Sequence, residues 1–126
     1  MAAEAVIGTD HVFQVIFIDT DTGQPIAVNN PIIDVFHYDT LGARVDDVSG
    51  AALVPDVTEV GRYSYYFPIP TTFVDGDTVY GYMTGEKPAS TELAFAEQTL
   101  NLVSASRAHG GGGTICGLRA QFVKGG

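Results

Sequence analysis

Cysteine is nearly absent from this 126-residue chain, and Cys116 is the only one. No intrachain disulfide and no cysteine-based zinc site can therefore form, and the fold must stand on its core. With Ile115 and Gly117 beside it and no acid or base in motif spacing, Cys116 reads as a small apolar group rather than a nucleophile. Cations are also scarce, at 6 Lys and Arg against 15 Asp and Glu, for a net charge of -9. A nucleic-acid groove needs clustered Lys and Arg, so this balance argues against one. No stretch approaches membrane-spanning length, and MAAEAVIGTD has neither the basic start nor the long apolar run of a secretion signal. A chain made in the cytoplasm, wherever it ends up, and without a membrane partner is the expectation. G-x-S-x-G, H-E-x-x-H and phosphate-loop patterns are missing.

Helical periodicity is missing as well. Short β-branched and aromatic runs recur between Gly, Pro, Asp and Asn clusters, the pattern of an all-β sandwich. Six strand candidates stand out: His11–Asp19, Ile32–Asp39, a weaker Ala51–Val60, Arg62–Ile69, Thr78–Thr84, and Glu92 to about Val103. The first is almost wholly apolar, which predicts a central strand. Pro55 predicts an edge or a break in the third. In the fourth, Tyr63, Tyr65, Phe67 and Ile69 share one face by the period of two, and that face is the expected core side. In the last, Leu93 and Phe95 have the opposite parity to Leu100 and Leu102, which predicts a bulge near Glu97–Thr99 or a strand that changes sheets.

The order F-x-V-x-F-x-D-x-D-T-G-x-P-I at Phe13–Ile26, the strand IIDVFHYD, V-G-R-Y-S-Y-Y-F at Val60–Phe67 and D-G-D-T-V-Y-G-Y at Asp75–Tyr82 resemble immunoglobulin-like and carboxypeptidase-regulatory-like (transthyretin-like) β-sandwich modules. The resemblance covers about residues 10–103. It implies a single Ig-like antiparallel sandwich without enzymatic activity. Such modules are common in bacterial surface proteins and phage virion proteins, and the C-terminal arm of this chain favours the virion version: capsid cement or decoration, or a neck, tail or fibre component.

The expected organisation is an N-terminal segment over 1–9, a sandwich over 10–103 and an extended arm over 104–126. The arm opens with a Gly-rich hinge, four consecutive glycines at 110–113, and continues into a short basic-amphipathic strand pattern. Charge divides along the same line. Residues 1–106 carry all 15 carboxylates and three cations, a net of -12, whereas 107–126 carry Arg107, Arg119, Lys124 and no acid. An arm with this charge suits an acidic surface, including another copy of its own body. The expected interface residues are Arg107, Ile115, Leu118, Arg119, Phe122, Val123 and Lys124, and the expected partners are other virion proteins and further copies of the chain. Fully extended, the 23 residues from Ser104 reach up to about 75 Å. Truncation after Val103 is expected to leave a folded body that no longer assembles.

Other residue groups have two readings each. The pairs Asp19/Asp21 and Asp75/Asp77 could offer carboxylates to calcium, but the turn role, with side chains accepting local backbone N–H groups, is preferred. Asp46 and Asp47 read as solvated loop charges. His11, His37 and His109 lie in unrelated contexts, so neither a metal centre nor any other cofactor is expected. Tyr66, Tyr80 and Tyr82 are the candidate exposed tyrosines, able to stack on a sugar or a protein partner.

Overall fold

The computed structural model describes residues 3–104 and 118–123. Those residues form nine strands and no helix: β1 (Ala3–Val6), β2 (Asp10–Ile18), β3 (Asn29–Tyr38), β4 (Arg44–Ala52), β5 (Val54–Pro55), β6 (Arg62–Pro68), β7 (Thr78–Glu86), β8 (Leu93–Val103) and β9 (Leu118–Val123). They make an all-β sandwich. The first sheet runs β4-β3-β7-β8, with β1 lying along the far edge of β8, and the second runs β2-β6-β5. Strand β9 bonds to β8 through Leu93–Ala94 and to β2 through Val15–Ile18, so it joins the two sheets along one side. The pairings are antiparallel except β1 with β8 and β2 with β9, which are parallel.

The core follows from the alternation of β2 and its counterparts. Phe13, Val15 and Phe17 are fully buried on one face of β2, and β2 is central between β6 and β9, as its apolar run predicts. Two phenylalanines from one sheet can enter this thin interior because the opposite sheet carries glycine where they arrive. A Cβ at Gly81 would overlap the Phe13 ring, and one at Gly85 would overlap the Phe17 ring. Both glycines lie on β7, so that strand supplies a notch at each aromatic contact. Tyr63, Phe67 and Ile69 are buried on the predicted face of the β6 segment. The Tyr63 hydroxyl accepts the Val28 N–H at 3.0 Å and fixes the long β2–β3 connection to the core.

Strand β8 corrects the parity argument. Its pairing with β7 is unbroken from Leu93 to Asn101, and Ala94, Ala96, Gln98, Leu100 and Leu102 all face inward. Leu93 and Phe95 point outward instead, at 48% and 52% exposure. The bulge expected near Glu97–Thr99 is not there; small alanines and one glutamine fill the inner positions that an apolar pattern would assign to Leu93 and Phe95. Gln98, at 3% exposure, is hydrogen-bonded at 3.0 Å to His11 Nε2, which satisfies the side chain in the interior.

The irregularity lies in β4. The Arg44–Ala52 segment, whose Asp46 and Asp47 read as loop charges in the sequence, is an edge strand on β3. Its register against β3 slips by one residue between Ile33 and Val35 and again between Val35 and Phe36. At the first slip Gly50 adopts φ 60, and its N–H donates to Asp34 Oδ1 at 2.7 Å. At the second slip Asp47 is the extra residue, and its carboxylate turns to His37 Nδ1 at 2.7 Å. Bulges re-aim side chains in this way and also blunt an exposed edge.

Candidate functional site

The outer face of the first sheet gathers aromatic side chains from three strands. Pairing places Phe36 of β3 beside Tyr80 of β7, and Asp34 beside Tyr82, with Tyr82 opposite Glu97 and Thr84 opposite Phe95 of β8. Phe36 and Tyr80 stack at 5.3 Å between ring centroids, and Tyr38 meets Tyr80 edge-on at 5.7 Å. Tyr82 and Phe95 lie 5.8 Å apart. The result is an aromatic band from Tyr38 to Phe95, continued by Leu93, on a sheet held rigid on its inner face by the core. Tyr38 is 53% exposed. The Arg44 guanidinium sits 3.8 Å above the Phe36 ring and covers it, and its Nε donates to Asp46 Oδ1 at 2.7 Å. That bond raises the Arg44 pKa further above its ordinary value. Asp34 and Glu97 leave the rest of the band with acidic neighbours. Contiguous apolar surface of this kind, rimmed by charge, is how docking faces differ from the scattered apolar residues of an ordinary surface.

Of the three tyrosines singled out in the sequence, Tyr80 and Tyr82 belong to this band. Tyr66 does not. It lies on the outer face of the second sheet, 59% exposed beside Val12, on the opposite side of the sandwich. Its hydroxyl is hydrogen-bonded to Asp10, which raises its pKa. Sequence reasoning missed Tyr38 and Phe95 as exposed groups, and Phe36 as the ring buried beneath Arg44 on the same outer face. Phe36 and Tyr38 share the outward parity of Asp34, opposite to Ile33 and Val35, so the period-two signal was present; what it lacked was the pairing with β7.

The arm residues divide. Leu118, Arg119, Phe122 and Val123 lie on β9, within the chain's own sandwich. Ala120 and Phe122 enter the core, and Phe122 stacks on Phe17 at 6.4 Å. Arg107, Ile115 and Lys124 lie outside the described residues, as do the hinge glycines and Cys116. The sandwich therefore extends past residue 103, because it draws a strand from the predicted arm, and before residue 10, because β1 pairs with β8. Apolar residues at alternate positions of a terminal segment find burial wherever a sheet edge is open, and β2 and β8 both had one.

The paired aspartates hold loops. Asp19 Oδ1 accepts the Asp21 N–H at 2.9 Å, and this bond, with Lys87 nearby, holds the Asp19 carboxyl below its ordinary value. Lys87 Nζ reaches Asp21 at 3.0 Å, Asp19 at 3.3 Å and Glu92 at 3.8 Å, tying the end of β2 to the β7–β8 turn. Asp77 accepts the Val74 N–H, and Asp75 accepts that of Ser104. Among the described residues no group of three or more His, Cys, Asp or Glu is placed to hold a metal ion. A cleft of about 310 Å³ at one end of the sandwich is lined by residues that include His37, Asp39, Asp47, Phe73 and Asp77. His37 packs edge-on against Phe73 at 4.9 Å there, so its ring is fixed on one side by Asp47 and on the other by an aromatic. Comparison with family models, curated proteins and solved structures finds no match.

Proposed function

We propose that this protein is a non-enzymatic structural subunit of a phage virion, an Ig-like module that assembles with other virion proteins and with copies of itself through its C-terminal arm and the aromatic face of its first sheet. Within the virion, capsid decoration is favoured by the small acidic sandwich over neck, tail or fibre. The observation that carries the reading is the band from Tyr38 through Tyr80, Tyr82 and Phe95 to Leu93. Its outermost members are about half exposed on a rigid sheet, the state of interface anchors before their partner arrives. The basic arm against the acidic body supports it from the side of charge. Sedimentation of the full chain against the double variant Tyr38→Ser/Phe95→Ser tests it. Concentration-dependent association weakened about tenfold or more, with the fold retained and the melting temperature lowered by no more than about ten degrees, is expected from the loss of two anchors. Equal association of the two proteins refutes the face as an interface.

A carbohydrate- or receptor-binding role is the second reading, favoured by Tyr80 and Tyr82 lying beside Asp34 and Glu97, which pairs rings with hydrogen-bond acceptors. A glycan array decides between them: specific binding that disappears in Tyr82→Ala supports sugar recognition over assembly. Tyr66→Ala, on the other side of the sandwich, serves as the control.

A further inference from the structure

Without β9 the sandwich has a slot. The free edge of β2 along Val15–Ile18 and the edge of β8 at Leu93–Ala94 would both lack a partner, and the fully buried Phe17 and Ala94 would form an open apolar floor. What fits there is a strand with a small residue and an aromatic two positions apart, which β9 supplies as Ala120 and Phe122.

The connection that delivers it is longer than closure requires. Residues 104–117 separate β8 from β9 and can span up to about 46 Å when extended. Strand β9 pairs with β8 only at Leu93–Val123 and Ala94–Phe122, and Leu118–Gln121 run beside β2; projected along β8 on that register, Leu118 stands level with Gln98, five residues and roughly 17 Å back from Val103. A gap of that size needs about six residues at roughly 3.3 Å each, so the fourteen present leave slack. The surplus is enough to cross to an adjacent molecule. Charge does not tie the arm to its own body either, since every copy offers the same acidic surface to the same basic segment.

Resting on the assembly reading above, we infer that β9 is exchanged between copies of this chain: in the assembled state Leu118–Val123 of one molecule fills the β2/β8 slot of a neighbour, whereas the isolated chain closes on itself. The two states share every contact of the slot, so contact energy does not choose between them. Concentration does. A short tether holds its strand at an effective concentration in the millimolar range, and copies packed side by side at comparable density compete on equal terms.

Paired cysteines across the β8–β9 register distinguish the two states. Leu93→Cys/Val123→Cys is made in the full-length chain with Cys116→Ser. The Cα separation of antiparallel neighbours, about 4.5–5.5 Å, falls within the disulfide window. The protein is refolded at about 1 μM, well below that effective range, and at about 1 mM, within it, then oxidised and run on a non-reducing denaturing gel beside sizing of the untreated samples. The expected result is cross-linked monomer alone at the low concentration, and at the high one an added population of covalent species of doubled or higher mass. Oligomers on sizing whose cross-links all stay within one chain overturn exchange and leave the assembly reading standing. Monomers at both concentrations overturn exchange and count against self-assembly as well. Absence of the cross-link at both concentrations removes β9 from the slot and overturns the inference at its root.

Discussion

Replacing Phe122 by alanine tests whether the C-terminal strand is part of the fold or an appendage to it. The ring is 6% exposed and stacks on Phe17, which is itself fully buried, so removing it leaves a void between the sheets rather than a dent in the surface. Phe-to-Ala changes at such positions cost about 3–5 kcal/mol through lost transfer free energy and the residual cavity. A domain of this size has about 5–15 kcal/mol in all, so the variant should lose about a fifth or more of its stability. In urea, with a slope of about 1.5–2 kcal/mol/M, the midpoint should fall by roughly 2 M. Phe95→Ala removes the same side chain from the outer face, where it is 52% exposed, and should cost less than about 1 kcal/mol. Truncation after Val103 should be more damaging than Phe122→Ala, because it also opens the edges of β2 and β8. The sequence alone suggested the reverse, a truncated body that folds undisturbed. A Phe122→Ala midpoint within 0.3 M of wild type, or a truncated chain as stable as the full one, would refute the placement of β9 in the core.

Three further outcomes follow from the interior. Gly81→Ala should destabilise by about 1–3 kcal/mol, since the new methyl meets the Phe13 ring in a packed core; calorimetry showing a stabilised variant would remove the notch argument. Tyr63→Phe should cost about 1–3 kcal/mol by leaving the buried Val28 N–H without its acceptor, and hydrogen exchange at Val28 should speed up by more than the global change accounts for. Burial holds His11 below the ordinary histidine value, so the unfolded chain takes up a proton where the folded chain stays neutral. Stability should therefore be complete above about pH 6.5 and fall as the pH drops below it, until the folded value is passed. Urea midpoints measured from pH 7.5 to 5 should slope less in His11→Gln than in wild type; parallel slopes would show that His11 titrates alike in both states. Asp19 and Asp56, held low chiefly by hydrogen bonds, act only in more acid solution and do not confuse this window.

The strands with strong alternation were legible from the sequence. β2, β6 and β7 declared themselves through Phe13, Val15 and Phe17, through Tyr63 and Phe67, and through Val79 and the turn before it. β4 did not, because an edge strand with both faces wet carries Arg44, Asp46 and Asp47 where a buried strand carries apolar residues. β8 misled for a physical reason: its inner positions 94 and 96 carry small alanines, Ala94 opposite the buried Phe122 of β9, while the larger Leu93 and Phe95 face outward. The candidate face was half legible. Tyr80 and Tyr82 were found by composition, but parity states only that a side chain points away from its neighbour in sequence, not which sheet it stands on. Tyr66 was grouped with them on that account, and Phe36 and Tyr38, whose partners lie some forty residues further along the chain, were left out.

Strand β9 has a bearing on the order of events during synthesis. Residues 3–104, including both sheets and nearly all of the buried side chains, emerge from the ribosome before the strand that joins them. Until residue 123 is free, Phe17 and Ala94 line a gap with two unpaired sheet edges at its mouth. Such edges pair readily with any extended chain nearby. The newly made protein thus passes through an interval in which it is most receptive to a strand from outside, and in a cell making many copies at once the nearest such strand belongs to a sibling.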